Sequence, residues 1–372
     1  MQALEVGLFV MPAHPPERSV IDGHNWDLSM IRAADRFGYK EAWVGEHLNT
    51  PWEPCPSPEL VIAQALTCTE QITLGAGAHI LPNHHPARLA QTVAYLDHLA
   101  EGRYMLGIGA GGGGSELFGY SKDAPKERYA HLREALEIMV KLWTEPGPWE
   151  YVGHNWHVTK AASPGDPNVP SGQDLTPYQK PHPPIGVPGL TPDSESMRVA
   201  GEIGGLPMSL YLNNRCLRTH WETYSQAAEA AGHEPDRAKW RVGKEVLIAD
   251  TDEEAIALAA EGMMGRFHSD YFFGIYSRAG RLANMKSDES LPDSDFTAEY
   301  RARNEWLVGS PDTVAEKLGA LYEDLGGFGT LLVVGNDYSD DSGPWMESME
   351  RLTKEVVPTV NRWIGADAAH SA

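Results

Sequence analysis

The chain has 372 residues, 42% of them hydrophobic, which suffices for one large domain with an extensive core or for two medium-sized domains. Its 30 basic and 52 acidic residues give a net charge of −22, which disfavours binding to nucleic acid or to anionic membrane surfaces. No apolar run approaches the roughly 18 residues of a membrane-spanning helix, no signal-peptide pattern is visible, and Cys55, Cys68 and Cys216 lack metal-type spacing, so we predict a cytoplasmic protein with reduced thiols.

Short apolar runs alternate with longer segments of helical periodicity along the whole chain. Strands are predicted at residues 5–10, 41–44, 72–75, 104–108, 184–187, 206–209, 242–248 and 330–334. Helices are predicted at residues 28–37, 59–69, 86–100, 129–143, 194–203, 215–231, 252–263 and 314–325. Most of the strands are apolar on both faces, as is typical of parallel strands covered by helices. Eight such units predict an α/β fold, a single-domain (β/α)₈ TIM barrel over residues 1–372 with long insertions at about 145–183 and 266–306.

A glycine-rich stretch at residues 107–119, GIGAGGGGSELFG, contains the dinucleotide-binding spacing G-x-G-x-x-G. In that motif the glycines follow the first strand and open a helix at once, because the helix N-terminus binds the phosphates. Here the strand is the fourth, and helical periodicity resumes only near residue 126, so we disfavour a dinucleotide fold. Two interpretations remain open: a surface loop, or a loop at the C-terminal face of a barrel where Gly109 and Gly111 let the main chain approach a ligand.

Several stretches carry a shared pattern in a fixed order along the chain: 41–47 (EAWVGEH), 74–82 (LGAGAHILP), 97–103 (DHLAEGR), 204–208 (GGLPM) and 308–314 (VGSPDTV). Together they resemble the bacterial luciferase-like family of flavin-dependent monooxygenases. The C-terminal stretch 348–358 is most similar to the limonene and alkanal monooxygenase branch of that family. Each stretch is weak alone, but jointly they are specific to the family.

The resemblance implies a barrel that binds reduced FMN, supplied by a separate flavin reductase, at the C-terminal ends of its strands. With O₂ as co-substrate, the flavin of this family forms a C4a-peroxyflavin that oxygenates a small organic substrate. Epoxidation, hydroxylation and Baeyer–Villiger insertion all stay open. Two alternatives also stay open: an F420-dependent hydride-transfer enzyme on the same fold, and a non-catalytic flavin-binding subunit. Family habit further implies a homodimer formed through the second and third helices.

The resemblance also implies roles for particular residues. His47 matches the family's active-site histidine, which can exchange a proton near neutral pH or hydrogen-bond the flavin, and Glu46 beside it is implied to orient a neighbour or the flavin. The Gly77–Ala78 bond matches a non-prolyl cis peptide under the flavin ring, with Ala76 and Met208 as further cofactor contacts. The alternatives are a structural histidine, an ordinary strand-end carboxylate and a tight turn.

The cofactor phosphate lacks one family ligand, because Ala110 stands where the luciferases carry an arginine. We therefore expect Ser194 and Ser196, at the start of a predicted helix, to bind the phosphate together with free N–H groups. The alternative is that both serines are plain helix caps. Arg198 then either reaches the phosphate or, as we favour, pairs with a surface carboxylate.

Four histidines, at positions 14, 79, 84 and 85, raise the question of a metal site. No carboxylate or cysteine accompanies them at metal-type sequence spacing, so no metal is predicted. We interpret His79 and Asn83 instead as contacts of the flavin ring or the substrate. The insertion at 266–306 is predicted to be a mobile lid that keeps water from the reaction.

Overall fold

A closed barrel of eight parallel strands forms the centre of the computed structural model, which describes residues 3–48, 50–112, 125–160 and 175–365. The strands are β1 (Glu5–Val10), β2 (Glu41–Val44), β3 (Thr73–Ala76), β4 (Tyr104–Gly109), β5 (Ile185–Gly189), β6 (Leu206–Ser209), β7 (Arg241–Lys244) and β8 (Thr330–Val334). Each strand pairs with the next in chain order, and β8 pairs with β1 to close the barrel. The predicted TIM barrel is therefore confirmed.

Helices surround the barrel and alternate with its strands. Their bounds are α1 Val20–Phe37, α2 Pro58–Ala65, α3 Pro86–Leu99, α4 Pro125–Thr144, α5 Glu195–Glu202, α6 Asn214–Ala230, α7 Asp252–Glu261, α8 Met263–Phe267, α9 Phe273–Arg278, α10 Ala298–Asn304, α11 Pro311–Asp324, α12 Ser342–Arg351 and α13 Val357–Trp363. Short 3-10 turns occur at Leu81–Asn83, Arg237–Lys239 and Leu282–Asn284, and π-helical turns at His268–Phe272 and Leu352–Val356. None of the helices described is both long and apolar enough to span a bilayer.

Several predicted elements are wrong in extent. The helix predicted at 59–69 ends at Ala65, and the helix predicted at 129–143 begins at Pro125. The helix predicted at 28–37 begins at Val20, because Ser19 caps it by accepting a hydrogen bond from the Asp22 N–H, and its first turns have exposed apolar residues that the hydrophobic pattern does not reveal. The strand predicted at 242–248 is interrupted at Glu245. Its first part is β7, and the second part, Val246–Ile248, leaves the barrel to pair with a short strand at Leu307–Gly309.

Apolar side chains form two layers of core. The larger layer lies between the strands and the helices. The second fills the barrel interior, where Phe9, Trp43, Met105, Met208 and Leu332 pack together. This inner cluster continues beyond the C-terminal ends of the strands into apolar side chains of the second insertion. The interior of the barrel is thus a packed core with an apolar cover at one end.

The two insertions differ in structure. In the first, an antiparallel hairpin pairs Trp149–Val152 with His157–Lys160, and residues 161–174 lie outside the part of the chain that is described. The second consists of helices α8 to α10 and the turns between them. Residues 113–119 of the glycine-rich stretch are also outside the described ranges.

Candidate active site

The C-terminal ends of the parallel strands meet at one end of the barrel, and most of the predicted site residues lie there. The segment Gly45-Glu46-His47 follows β2, and Gly77-Ala78 follows β3. Gly109 ends β4, and Gly111 follows it with a backbone φ of 79° that favours glycine. In barrels of this type the C-terminal face is where ligands bind.

The glycines of β4 allow a close approach between two main chains. A Cβ on Gly107 would lie 1.9 Å from the carbonyl oxygen of Ala76, and one on Gly109 would lie 3.6 Å from the Cβ of Ala78. The glycine spacing that resembles a dinucleotide motif therefore belongs to a barrel strand. Its first glycine makes room for the end of β3.

The Gly77–Ala78 peptide bond is cis, as the family resemblance implies. A Cβ on Gly77 would lie 2.9 Å from the Cβ of Trp43 and 3.0 Å from the ring of Phe9, so only glycine fits there without displacing these side chains. Ala76 and Ala78 are buried. The end of β3 is thus a surface of main chain and small side chains bordered by aromatic rings.

Glu46 is buried and connects the end of β2 to the segment after β3. Its Oε2 accepts hydrogen bonds from Nε2 of His84 at 2.8 Å and from the N–H of Ile80 at 3.3 Å, and Nδ1 of His79 lies 3.4 Å away. Burial by itself raises the pKa of Glu46, but the two neighbouring histidines outweigh it and bring that pKa to about 2. Glu46 is therefore a carboxylate that holds its surroundings in place.

The side chain of His79 is fully buried, and its Nε2 lies 3.4 Å from the hydroxyl of Tyr104. Its contact with a flavin ring or substrate stays a prediction. The sequence spacing also gave no sign that Glu46 lies beside His79 and His84, because α2 and β3 separate Glu46 from the two histidines along the chain. Sequence periodicity does not relate side chains that follow different strands.

His47 is partly exposed at the C-terminal end, with 27% of its side chain accessible. Its N–H donates to the carbonyl of Cys55, and its Nδ1 lies 3.6 Å from Oε2 of Glu53. The same Glu53 oxygen accepts a hydrogen bond of 2.7 Å from the hydroxyl of Tyr271. Sequence reasoning missed Glu53 and Tyr271. Glu53 lies in the loop after β2, as His47 does, and this shared loop is a signal that could have indicated Glu53.

The second insertion covers this end of the barrel with aromatic rings. Trp52, after β2, stacks on Tyr271 with ring centroids 5.9 Å apart and contacts Phe267 edge to face. Tyr211, after β6, packs on Phe272 at 4.4 Å. We call these five side chains the aromatic roof. The insertion thus lies over the C-terminal face, whereas its predicted motion stays a prediction.

The two predicted phosphate ligands lie at the start of α5. Ser194 precedes the helix and is buried, yet its side chain accepts no capping bond from the helix N–H groups. The hydroxyl of Ser196 is 2.9 Å from that of Tyr129. Arg198 pairs with Glu195 at the surface, as favoured from the sequence. Ser194 is therefore not an ordinary helix cap.

Met208 lies in β6, inside the barrel. It is fully buried, and the absence of a side chain at Gly186 leaves room for it, because a Cβ there would lie 2.9 Å from the sulfur of Met208 and 2.7 Å from the ring of Trp43. Met208 thus packs in the barrel interior below the strand ends. Whether it also contacts a cofactor stays a prediction.

Several buried polar atoms near the C-terminal face have no hydrogen-bond partner among the described residues. They include Oε1 of Glu46 and Glu53 and the hydroxyls of Tyr211 and Tyr276. Unpaired buried polar groups are rare in native proteins, and each calls for an explanation such as a ligand or water. Main chain with small side chains at the end of β3, a partly exposed histidine, an apolar cover and unpaired polar atoms make this end of the barrel the candidate ligand site.

Comparison with known proteins identifies the family. A family model described as luciferase-like monooxygenase matches residues 4–327. The 3,6-diketocamphane 1,6-monooxygenase of Pseudomonas putida is 38% identical to this chain, over 96% of this chain and 98% of its own length. The chain therefore belongs to the luciferase-like monooxygenase family.

Solved structures agree with this assignment. A type II Baeyer–Villiger monooxygenase, the oxygenating constituent of 3,6-diketocamphane monooxygenase from the CAM plasmid of Pseudomonas putida in complex with FMN, is 38% identical and has a TM-score of 0.90 over 96% of this chain and 99% of its own. The F420-dependent tetrahydromethanopterin reductase of Methanopyrus kandleri is 19% identical with a TM-score of 0.65, covering 96% and 99% of the two chains, which shows a common fold alone. The predicted flavin-dependent monooxygenase is confirmed, and the F420 alternative is not favoured.

Proposed function

We propose that this chain is the oxygenase component of a two-component monooxygenase that converts an apolar alicyclic ketone into a lactone. The overall reaction is ketone + O₂ + FMNH₂ → lactone + H₂O + FMN, with reduced FMN delivered by a separate reductase. The observation that carries the proposal is the 38% identity, over nearly the whole of both chains, to a Baeyer–Villiger oxygenase with FMN bound. Among the oxygenations that the sequence leaves open, this identity favours oxygen insertion next to a carbonyl.

The residues at the end of β3 fit a flat ring system. In the proposal the isoalloxazine ring lies against Ala76, Gly77 and Ala78, where main chain and small side chains leave a surface without projecting groups. Gly109 and Gly111 border the same surface and let the end of β4 approach it closely. Reduced FMN bound there supplies the activated oxygen that the insertion requires.

The start of α5 fits the cofactor phosphate. The first N–H groups of a helix have no partner within the helix and carry a partial positive charge, which favours an anion. In the proposal Ser194 and Ser196 add their hydroxyls to these N–H groups, and the side chain of Ser194 is not used as a cap. Met208 completes the proposed cofactor contacts from the barrel interior.

His47 is the proposed catalytic residue, and Glu53 is its positioning residue. The carboxylate of Glu53 near Nδ1 favours the tautomer in which that nitrogen carries the proton, so Nε2 is left to exchange a proton with substrate or cofactor. Tyr271 donates to the same carboxylate and thereby ties the position of His47 to the second insertion. Glu46 acts differently, because it holds the segment after β3 through His84 and Ile80.

The aromatic roof accounts for the proposed substrate class. Trp52, Tyr211 and Phe272 are buried or nearly so and extend the apolar interior of the barrel to its C-terminal end. A compact hydrocarbon skeleton with one or two carbonyl groups suits such a surface better than a charged substrate does, because a charge would lose its hydration there. The same cover keeps water from the reacting groups.

The test supplies the purified chain with FMN, NADH and an independent flavin reductase under ¹⁸O₂, with 3,6-diketocamphane as substrate. We expect a lactone that carries one ¹⁸O atom. Formation of an epoxide or an alcohol would contradict the proposed insertion but would still show a monooxygenase. Turnover with reduced F420 and none with reduced FMN would favour the hydride-transfer alternative, and binding of FMN with no oxygenation of any ketone tested would favour a non-catalytic subunit.

We also propose that the chain forms a homodimer through α2 and α3. Leu60 on α2 and Tyr95 and Leu99 on α3 are apolar or aromatic, and between 50% and 63% of each is exposed. Large apolar groups grouped on one face are typical of an interface. Tyr95→Glu is expected to give a monomer in analytical ultracentrifugation, whereas Val152→Glu, an equally drastic change at an exposed site on the hairpin, leaves the dimer intact. A monomeric parent chain would contradict the proposal.

A further inference from the structure

Three side chains with metal-binding atoms converge behind the end of β3. Glu46 follows β2, His79 lies in the short strand His79–Ile80, and His84 follows the 3-10 turn Leu81–Asn83. One ligand atom from each lies within 4.8 Å of the others. We call this group the Glu46 cluster. It lies beside the proposed flavin surface, but nothing about it depends on the proposed function.

Two of the three distances in the Glu46 cluster are close to those between ligands of one metal ion. Oε2 of Glu46 is 2.8 Å from Nε2 of His84 and 3.4 Å from Nδ1 of His79. Two ligands bound at about 2.1 Å from a zinc ion, at tetrahedral or octahedral angles, lie about 3.0–3.4 Å apart. The two histidine nitrogens lie within 4.8 Å of each other, so the imidazole rings must move toward a shared ion for all three atoms to bind it.

Hydrogen bonding within the protein leaves the cluster incomplete. Nδ1 of His79 and Oε1 of Glu46 are buried, and neither has a hydrogen-bond partner in the described part of the chain. The His79 side chain is fully buried, and its Nδ1 lies 3.4 Å from the Glu46 carboxylate without the alignment of a hydrogen bond. A buried polar nitrogen without a partner is unfavourable. Coordination of a cation would satisfy it.

Tyr104 supplies the second contact that a metal-bound histidine usually has. Its hydroxyl lies 3.4 Å from Nε2 of His79, on the far side of the ring from the cluster. If Nε2–H donates to this hydroxyl, Nδ1 carries a lone pair 3.4 Å from the Glu46 carboxylate, and a cation bound by both atoms would replace their repulsion with coordination. Metal-ligating histidines commonly have such a partner on the other ring nitrogen, which fixes the tautomer.

The charge around the Glu46 cluster also favours a cation. Besides Glu46 itself, Glu59 is close enough to His84 for their charges to interact. One carboxylate oxygen of Glu59 is buried without a partner among the residues described. His84 is 23% exposed and gives an ion a route from solvent. The surroundings are therefore negative and accessible.

We propose that Glu46, His79 and His84 bind a divalent transition-metal ion of the zinc class, with two imidazole nitrogens, one carboxylate oxygen and an open position. Two histidines and one carboxylate are a common ligand set for such ions. The ion links the end of β2 to the segment that follows the cis peptide. The proposal departs from the sequence-based expectation of no metal, because Glu46 comes from the loop after β2 and no local spacing connects it to the two histidines after β3.

The experiment measures metal binding without flavin, so its result is separate from that of the proposed function. The full chain is treated with EDTA, dialysed and titrated with Zn²⁺ by calorimetry and with Co²⁺ by visible absorption. We expect one equivalent per chain, with cobalt d–d bands of a low-coordinate site. His84→Gln and His79→Gln are expected to abolish the bands, and Tyr104→Phe to weaken affinity by about 10-fold.

His85→Gln is the matched control, because His85 is the next residue to His84 but its ring packs on Trp156, outside the cluster. It is expected to bind as the parent does. If His84→Gln binds the metal as strongly as the parent, the metal is bound by surface carboxylates and the proposal is overturned. A parent chain that binds no Co²⁺ also overturns it. If the histidine variants do not fold, X-ray absorption of the zinc-loaded parent decides: two imidazoles support the site, and none refutes it.

Discussion

The two ends of the barrel treat their buried polar groups in different ways. At the N-terminal end, both carboxylate oxygens of Glu41 have partners, because Oε1 accepts from the Trp43 indole at 2.9 Å and Arg241 binds both oxygens, at 3.2 and 2.9 Å. At the C-terminal end, Glu46 and Glu53 each keep a buried oxygen with no partner among the described residues. The difference indicates that the Glu41 carboxylate is fully used in holding the fold, whereas Glu46 and Glu53 each keep one oxygen whose partner would be a ligand or water.

A methyl group between β3 and β4 is expected to have the largest effect. In Gly107→Ala the new Cβ would lie 1.9 Å from the Ala76 carbonyl oxygen, so the strands must separate where the cofactor surface begins. We expect a loss of about 3 kcal/mol or more in the free energy of unfolding, measured in urea. Gly343→Ala is the control and should change little, because the nearest atom to a Cβ there, among the described residues, is Oδ1 of Asp341 at 3.8 Å. Equal stability of the two variants would contradict the close approach.

Glu41→Gln tests the N-terminal end. The substitution leaves Arg241 buried without its charged partner, which is expected to cost about 3 kcal/mol of stability. Turnover of the folded enzyme should stay as in the parent, because Glu41 is at the end remote from the proposed site. Chemical unfolding and the rate of lactone formation measure the two quantities. A Glu41→Gln variant that is as stable as the parent but inactive would contradict a role in stability for this end of the barrel.

His47→Ala tests the C-terminal end in the opposite sense. Loss of the proton-exchanging imidazole is expected to lower turnover by about 100-fold, or roughly 2.7 kcal/mol in the barrier. The midpoint of urea unfolding should hardly move, because the side chain is partly exposed and has no short hydrogen bond in the described structure. His157→Ala, at an exposed site on the hairpin, is the control. Unchanged turnover in His47→Ala would remove this residue from the mechanism.

The smallest expected effect comes from a polar group at the C-terminal end that is fully paired. Burial lowers the pKa of His14, but its hydrogen bonds to Asp27 and Asp337 outweigh burial and raise that pKa to about 9. The folded-state pKa lies above the unfolded value of about 6.5, so the stabilisation is complete below pH 6.5 and disappears as the pH rises through 9. His14→Gln should therefore cost about 2 kcal/mol at pH 6 and little at pH 10.

Urea unfolding of the parent and of His14→Gln across this pH range measures the difference. A gap between the two proteins that widens as the pH rises would show that His14 is neutral in the folded state. In that case His14 would be one of the incompletely hydrogen-bonded groups at the C-terminal end. This result would contradict its assignment as a fully paired group.

Much of the fold follows from the sequence, because period and length are local properties. All eight barrel strands are predicted near their observed positions, since parallel strands are short and apolar on both faces. The break at Glu245 is not predictable in this way. Its cause is a buried carboxylate that accepts a hydrogen bond from His268 at 2.8 Å and lies 3.5 Å from Arg301, and both partners come from the distant insertion.

The candidate site is only partly predictable for the same reason. The Glu46-His47 pair and the cis peptide at Gly77–Ala78 follow from the family resemblance, because they are carried by contiguous motifs. Tyr271, by contrast, reaches Glu53 from a segment 218 positions further along the chain. No local pattern relates these two residues, and only the closure of the barrel brings them together.

The strand Val246–Ile248 leaves the barrel beside Leu307–Gly309, so the chain departs toward the second insertion and returns from it at adjacent places. A segment anchored in this way can lengthen or shorten at low entropic cost, since the cost of closing a loop grows only with the logarithm of its length. The second insertion can then vary in length and sequence during evolution while the eight strands stay in register. Because this insertion covers the proposed substrate site, such changes would alter the substrate without altering the oxygenation reaction.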